Sequence, residues 1–423
     1  MGTHTAVLLV TANVGSLFDH VGEIESQWLR EFFKTVQVYK PRFVALHFQE
    51  VGGKDYMINM SHAENFLWKI ESSEEMREFD RACIYVDNNF KAAENFTALG
   101  SMYFIHKSLK NIYQYDFSLK DFKAVSGNNK YVGMLDGVTT VVKEKFPKNF
   151  WPDFKWSRKG YMRTRWIIHN QGFDLVNVHL FHDASNLIAC NESPSVYSGN
   201  RKKALRYVIN RISDSSYTPL PFFLFGDFNF RLDTLSLVQN LSRSADIQMV
   251  KDSSNEVEKI ICEDKDHDHK VAKVVLLHIE TKHFAYLHQA IFREDNGRAL
   301  LKYDKEVAAF HDVITEEEIT FPPRCVPRRA PRPLSPLSLA LPDSSVPPSL
   351  SYPYSEDYTK PTQYMNTRCP SWCDRILMSH SACLIIHREE GERSVVYNTL
   401  GSTVCMGDHK PVFLFFALKS NGH

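Results

Sequence analysis

The sequence predicts an α+β fold in which mostly antiparallel sheets pack on one another and helices cover the outside. Three observations lead there. Short runs of β-branched and aromatic residues far outnumber helical stripes. Aromatic residues make up 13% of the 423 positions, with 29 phenylalanines, a supply that suits pleated and half-buried surfaces. The runs also follow one another through hairpin-like connections and few helices, which argues against a doubly wound parallel sheet.

Residues 6–12, 42–48, 97–106, 113–119, 222–225, 373–378 and 411–418 each read as a strand. The runs 164–170 and 172–180 flank Asn170-Gln171-Gly172 and read as an antiparallel hairpin. A helix is predicted over 28–39, where Trp28, Leu29, Phe32, Phe33 and Val36 share a face. Ala204, Leu205, Val208, Ile209 and Ile212 form the stripe of a second helix, with Ser198 as its cap, and 232–241 reads as a third. Most polar residues of interest close one of the strands, so a rigid scaffold presents them at one edge.

Composition narrows the function classes. Apolar residues are 43% and charged residues 24%, which excludes bulk disorder, collagen and coiled coil. Fifty basic residues balance fifty acidic ones, so no global field draws the chain to nucleic acid or an anionic membrane, and anion recognition has to be local. The eight cysteines are scattered without a CxxC pair, as expected of a reducing compartment. No apolar run approaches the roughly 18 residues needed to span a bilayer. Ala6 breaks a myristoylation pattern, and the run Lys419 to His423 carries no prenylation box. The expectation is a soluble cytoplasmic protein without transmembrane segment. Ten of the 19 prolines lie between Pro322 and Pro353, among serines and Arg328, Arg329 and Arg332, so 324–350 is expected to be a disordered loop. Pro333-Leu334-Ser335-Pro336 lacks the flanking basic residue of a polyproline ligand, and a spacer role is the plainer reading.

Three segments carry chemistry. In Gly226-Asp227-Phe228-Asn229, a carboxylate and a carboxamide two residues apart in an extended chain point the same way, and together can hold and deprotonate a water. The plain alternative is an Asp-x-Asn turn that ends a strand. In Gly407-Asp408-His409-Lys410, a histidine enters an apolar strand and can donate to developing phosphate charge if a carboxylate holds its other nitrogen. Asp374, at the start of a buried strand where an unpaired charge is costly, is the expected partner of His409. Asn177 and His179 alternate on one strand and leave the same face, while Asn13 and Glu50 each close a strand. Hard cations such as Mg²⁺ take oxygen ligands, often with one or two carboxylates. Lys155, Arg158, Lys159, Arg163 and Arg165 are five cations in eleven residues, with Arg163 and Arg165 on one strand face. Arg201, Lys202 and Lys203 begin a helix, where anions are favoured.

The order strand–Asn13, strand–Glu50, Asn177-x-His179, Asp227-x-Asn229, Asp374, Asp408-His409 resembles a superfamily of metal-dependent phosphodiesterases and phosphomonoesterases. It includes deoxyribonuclease, abasic-site endonucleases, neutral sphingomyelinases and inositol polyphosphate 5-phosphatases. The resemblance covers nearly the whole chain except the proline-rich loop. Arg368-Cys369-Pro370-Ser371-Trp372-Cys373-Asp374-Arg375-Ile376-Leu377 matches the 5-phosphatase signature at every position. The run 223–231 matches the companion signature except that Leu224 stands where Trp is usual. With Trp156-Ser157-Arg158-Lys159-Gly160, the run 176–183 and the run 352–357, the chain most resembles the type I branch, which acts on inositol 1,4,5-trisphosphate.

That resemblance implies a four-layer α/β/β/α sandwich: one catalytic domain over 1–323 and 351–423, with 324–350 inserted. It implies removal of the 5-phosphate from soluble inositol 1,4,5-trisphosphate and inositol 1,3,4,5-tetrakisphosphate, ending a calcium-mobilising signal. The expected partners are those soluble inositol polyphosphates and no nucleic acid, and the protein is expected to be a monomer. Glu50, with Asn13, is expected to hold Mg²⁺. Asp227 orients and deprotonates the attacking water and Asn229 positions it. His409, held by Asp374, and His179 stabilise the phosphoryl oxygens, with Asp408 and Asn177 assisting. Arg368, Lys159, Arg163, Arg165, Lys203 and Tyr352 are the expected substrate contacts. Pro353 and Asn366 depart from the family, which usually carries Lys at both positions, and the inserted loop falls inside the same substrate-facing element. Other readings remain: a nuclease or lipid phosphodiesterase of the same superfamily, or a silent scaffold that recruits partners through the loop. Intact Glu50, Asp227, Asn229 and His409 speak against the scaffold.

Overall fold

The structure, a computed structural model, describes residues 4–18, 22–151, 157–265, 273–317, 352–357, 359–360, 363–388, 394–401 and 403–420. Lys155 and the predicted loop over 324–350 lie outside the described residues.

Two eight-stranded sheets face each other. The first is centred on Thr5–Asn13, which pairs in parallel with Phe43–Gln49 on one side and antiparallel with Val412–Leu418 on the other. The second is centred on Phe222–Asp227, parallel to Gln171–His179 and antiparallel to Asp374–Ser379. Most other pairings in both sheets are antiparallel.

The central strands are apolar on both faces because both faces are covered. In Thr5–Asn13, Val7 and Leu9 point between the sheets, where they meet Phe43, Trp166, Phe223, Phe225, Leu414 and Phe416. Leu8 and Val10 point the other way, onto Trp28 and Phe32 of the helix Glu23–Tyr39 and Phe66 of the helix Tyr56–Glu71. On the second sheet, Val176, Val178 and Leu224 lie under Ala204, Leu205, Val208 and Ile209 of the helix Ser198–Ile212. Helix, sheet, sheet and helix thus stack as the four-layer α/β/β/α sandwich expected.

The differences from the sequence reading are local. The hairpin turns at His169 and Asn170, both with positive φ, one residue earlier than expected, so its strands are Gly160–Ile168 and Gln171–His179. Ser198 is the first residue of its helix and makes no capping bond; the N-cap position is Tyr197. The third helix is Thr234–Leu241, capped by Asp233, whose side chain accepts from the Ser236 N–H. The helix Tyr56–Glu71 and a four-stranded antiparallel sheet from Ala245 to Tyr286 escape the sequence reading.

Polar groups also cross the gap between the sheets. His47 is neutral, because burial takes its imidazole down to about 3. It stacks on Phe225 and shares hydrogen bonds with the Phe225 carbonyl (3.3 Å) and the Tyr103 hydroxyl (2.9 Å). One layer closer to the rim, Gln49 Nε2 donates to Asn177 Oδ1 at 2.8 Å. These bonds hold the two sheets in register directly beneath the rim that carries the site.

Candidate active site

Strand direction decides where the polar residues land. The parallel pair in each sheet ends at the same rim: Asn13 lies opposite Gln49, and His179 opposite Asp227. The antiparallel neighbours begin there, so Asp374 pairs with Asp227, and His409 precedes the strand whose Val412 pairs with Thr11. Gly226 is what allows the second sheet to close at this edge, since a Cβ on it would sit 1.9 Å from the Val178 carbonyl oxygen.

Asp227 is the hub. Its Oδ2 accepts from Asn13 Nδ2 and Asn229 Nδ2, both at 3.0 Å, and lies 3.3 Å from His179 Nε2. Its Oδ1 accepts the Asn229 backbone N–H at 2.9 Å. The chain is not extended here: Asn229 has φ +52, so the Asp-x-Asn segment is a turn that folds the carboxamide back onto the carboxylate. Burial alone would raise the Asp227 carboxyl. The hydrogen bond to His179 and the charges of His409 and Lys159 outweigh it and hold the group ionised, far below the ordinary carboxylate range.

Glu50 also stands in the left-handed region, with φ +57, a conformation that turns its carboxylate back over the rim. Lys159 Nζ lies at 3.8 Å, His179 Nε2 at 3.6 Å and Arg158 Nη2 at 3.9 Å. Among the described residues none donates a hydrogen bond to it. Desolvation would raise this carboxyl, but the Lys159 ammonium and its cationic neighbours bring it down to about 2. A Cβ on Gly15 would lie 2.7 Å from Glu50 Oε2 and 3.3 Å from Asn13 Oδ1, so both oxygens border a notch that any other residue would fill. Asn13 is oriented for this, since its Nδ2 is spent on Asp227 and its Oδ1 already accepts the Gly15 N–H at 3.0 Å. An ionised carboxylate, a carboxamide oxygen and an open notch form a donor set that fits a hard divalent cation.

His409 Nδ1 bonds Asp374 Oδ2 at 2.7 Å, and both side chains are buried. Burial opposes protonation of His409, but the Asp374 carboxylate prevails and lifts it to about 10, so the ring is an imidazolium at neutral pH. Asp227, Asp374 and His409 bring donor atoms within 4.8 Å of one another. Asp408 adds negative charge beside His409, and its backbone N–H is docked on Ser16 Oγ at 3.0 Å. The Tyr352 ring packs on His409 at 4.4 Å.

Lys159 and His179 touch, Nζ against Nε2. Burial and the Lys159 charge keep His179 neutral. Its Nε2 therefore serves one of two partners, accepting from Lys159 or donating to Asp227, while Nδ1 makes no hydrogen bond among the described residues. Asn177 is fully used beneath them, with Nδ2 on the Phe48 and Gly100 carbonyls and Oδ1 on Gln49, so it ties the sheets together and has no donor left for substrate.

The cations divide. Lys159 and Arg158 stand in the cluster. Arg163 and Arg165 do not: both bond Asp174, at 2.7–3.0 Å, and are 2% exposed. At about 3.3 Å per residue they sit roughly 10 and 16 Å along the strand from Gly160, the residue opposite His179. Arg201 is equally internal, bonded to Glu306 and Asp183. Lys203 lies over the Phe150 ring at 4.5 Å, on the outer helix. The Arg163 and Arg165 side chains are spent on an internal carboxylate, which corrects the expectation that they contact substrate, whereas Lys203 is exposed on its helix. Arg368 is half-committed: it donates to Asn186 Oδ1 at 2.9 Å and to the carbonyls of Thr281 and Asp183, latching the loop after His179 onto the four-stranded sheet. The second arginine of the decapeptide, Arg375, is buried on Asp304 and Glu316.

Arg231 is the residue that sequence reasoning passed over. It closes the 223–231 signature, which was the available signal, and its Nη2 donates to Asn229 Oδ1 at 2.6 Å.

No family model matches the chain. Among solved structures, the inositol polyphosphate 5-phosphatase domain of Spsynaptojanin, in complex with inositol (1,4)-bisphosphate and calcium ion, is similar at TM-score 0.46 and 12% identity, covering 99% of this chain and 85% of that one. A Cimex nitrophorin ferrous NO complex is similar at TM-score 0.48 and 12% identity, covering 98% and 99%. At these scores neither bears on function. The curated relatives are far nearer. Inositol polyphosphate-5-phosphatase A of Homo sapiens and of Canis lupus familiaris are each 51% identical over 416 residues, 98% of this chain and 93% of theirs. A probable type I inositol 1,4,5-trisphosphate 5-phosphatase of Caenorhabditis elegans is 35% identical over 442 residues, 97% of this chain and 98% of its own. Identity of this degree over essentially the full length, on a chain whose two signature segments meet at one rim, places it among the inositol polyphosphate 5-phosphatases.

Proposed function

We propose that the protein is a Mg²⁺-dependent phosphomonoesterase that removes the 5-phosphate of soluble inositol 1,4,5-trisphosphate and inositol 1,3,4,5-tetrakisphosphate. The observation that carries the reading is the convergence of Asn13, Glu50, His179, Asp227 and the Asp374–His409 pair, from both sheets, on one rim. The names of the relatives support the substrate class.

Asp227 is the water-binding group, already ionised and aimed by two carboxamides. So depressed a carboxylate is a weak base, so it contributes orientation first and takes the proton as the oxygen–phosphorus bond forms. The P–O bond to the inositol C5 oxygen breaks as that bond forms, and the departing oxygen takes a proton from solvent to leave as the inositol hydroxyl beside inorganic phosphate. The imidazolium of His409 and the Lys159 ammonium stabilise the charge on the phosphoryl oxygens, and His179 donates through Nε2 once Lys159 turns to the phosphate. Glu50 and Asn13 would hold the cation; when bound, Mg²⁺ supplies positive charge to the phosphoryl and leaving oxygens. Cys373 and Cys369 are buried, with thiols pushed up by that burial, and take no part as nucleophiles.

We read 1–323 with 351–423 as one catalytic unit and 324–350 as an insertion in it. Termination of a calcium-mobilising signal, a cytoplasmic location and a monomeric state belong to the same proposal. Among the described residues no helix is long and apolar enough to cross a membrane.

The test is inorganic phosphate release from a panel of soluble and lipid inositol phosphates with and without Mg²⁺, beside a duplex DNA nicking assay. Release from the soluble trisphosphate that needs the metal is the expected result. Nicking of DNA, or no turnover of any inositol phosphate, refutes it.

A further inference from the structure

The buried charges outside the catalytic cluster form a connected set that ends on it. Arg201 donates Nε and Nη2 to the two oxygens of Glu306, both at 2.7 Å, and Nη1 to Asp183 Oδ1 at 2.5 Å, which pins the loop after His179. Glu306 Oε1 also accepts the Arg231 backbone N–H at 3.1 Å, in the loop after Asp227. From that point the Arg231 side chain turns back toward the rim. Its Nη2 bonds Asn229 Oδ1, and Asn229 Nδ2 donates to both Asp227 Oδ2 and the Leu180 carbonyl at 3.0 Å.

The rest of this guanidinium is badly placed for stability. Arg231 is 6% exposed, and among the described residues neither Nε nor Nη1 has a hydrogen-bond partner; the Tyr352 ring covers it at 4.8 Å. Burying donors without partners is costly, and an unbranched apolar side chain of similar length would pack there without that cost. Among the described residues, the side-chain hydrogen bond that Arg231 donates goes to the residue that aims Asp227.

We propose that Arg231 is a positioning residue for the reaction: its donation to Asn229 Oδ1 fixes the carboxamide so that both Nδ2 hydrogens stay on Asp227 and Leu180, and the Asp227 carboxylate stays aimed at the attacking water. The site keeps it although two of its buried nitrogens lack partners among the described residues, the pattern expected where a fold serves chemistry. The inference rests on the phosphomonoesterase reading and deepens it.

The experiment compares full-length wild type with Arg231→Met and Arg231→Lys. It measures kcat and KM for inositol 1,4,5-trisphosphate with Mg²⁺, and the thermal midpoint. For Arg231→Met the expected result is an unchanged or higher midpoint, KM within about threefold of wild type, and kcat at least about tenfold lower, the scale of a misaimed catalytic group. Arg231→Lys, which keeps a donor, recovers part of kcat. A smaller loss of kcat in Arg231→Met, a loss matched by a lowered midpoint, a larger effect on KM than on kcat, or a Lys variant no better than Met overturns the proposal. If wild type itself does not turn over the trisphosphate, the substrate reading has failed separately, and the same ratios are read with para-nitrophenyl phosphate.

Discussion

Replacing Asp374 by Asn tests the electrostatic core of the site. Asn keeps the shape and can still accept from His409 Nδ1, but removes the charge that sustains the imidazolium. The interval between the ordinary 6.5 and the about 10 of His409 corresponds to an interaction on the order of 4–5 kcal/mol, opposed by burial. Without Asp374, burial is opposed only by Asp408 and Asp227, and the ring titrates at or below its ordinary value. At pH 7.5 about one ring in ten, at most, then stays protonated. The expected loss at pH 7.5 is therefore at least about tenfold, because only the protonated ring donates with charge to the phosphoryl oxygens. Initial rates of phosphate release from pH 5 to 10.5 provide the assay. The alkaline limb of the wild type falls near pH 10, that of Asp374→Asn at 6.5 or lower, and the two rates draw together toward pH 5.5. Stability follows with a definite sign. A folded value above the unfolded one means that His409 contributes stability fully below about 6.5, lost as the pH rises to about 10. Denaturant midpoints of the wild type therefore fall across that window, and those of the variant do not. An alkaline limb that stays near pH 10 in Asp374→Asn refutes the argument.

Gly15→Ala puts a methyl group 2.7 Å from Glu50 Oε2, so the Mg²⁺ concentration for half-maximal rate should rise at least about tenfold while kcat at saturation changes little. A metal titration reads this, and an unchanged midpoint contradicts the notch. Arg163→Gln and Arg165→Gln each leave Asp174 short of a buried partner and should lower stability by about 3–5 kcal/mol, with KM for the trisphosphate within about twofold of wild type; urea melts and steady-state rates separate the two effects. Asp227→Asn should lower kcat at least about a hundredfold with a nearly unchanged thermal midpoint. Near-normal turnover in that variant removes Asp227 from water activation.

The strands and the order of polar residues along them were legible because both rest on short-range rules. Apolar runs of the right length end in Asn13, Glu50, His179 and Asp227, and strand periodicity puts Asn177 and His179 on one face. The helix Tyr56–Glu71 was not legible, although Met60, Ala63, Phe66, Leu67 and Ile70 are its buried face, because exposed Met57, Ile58 and Trp68 blur the stripe. The sheet from Ala245 to Tyr286 begins on a strand exposed at almost every position, so no alternation marks it.

The cations mark the boundary most sharply. By itself the sequence determined the chemical inventory, the scaffold class and the family whose order of groups it carries. It could not assign Arg163, Arg165 and Arg201 to Asp174, Asp183 and Glu306, nor Lys159 to Glu50, because each assignment depends on which opposite charge lies within a few ångströms after folding. Coulomb attraction and desolvation are functions of distance and burial rather than of residue order. Only the packing of the two sheets decided which charges neutralise one another inside and which stay at the rim to meet a phosphate.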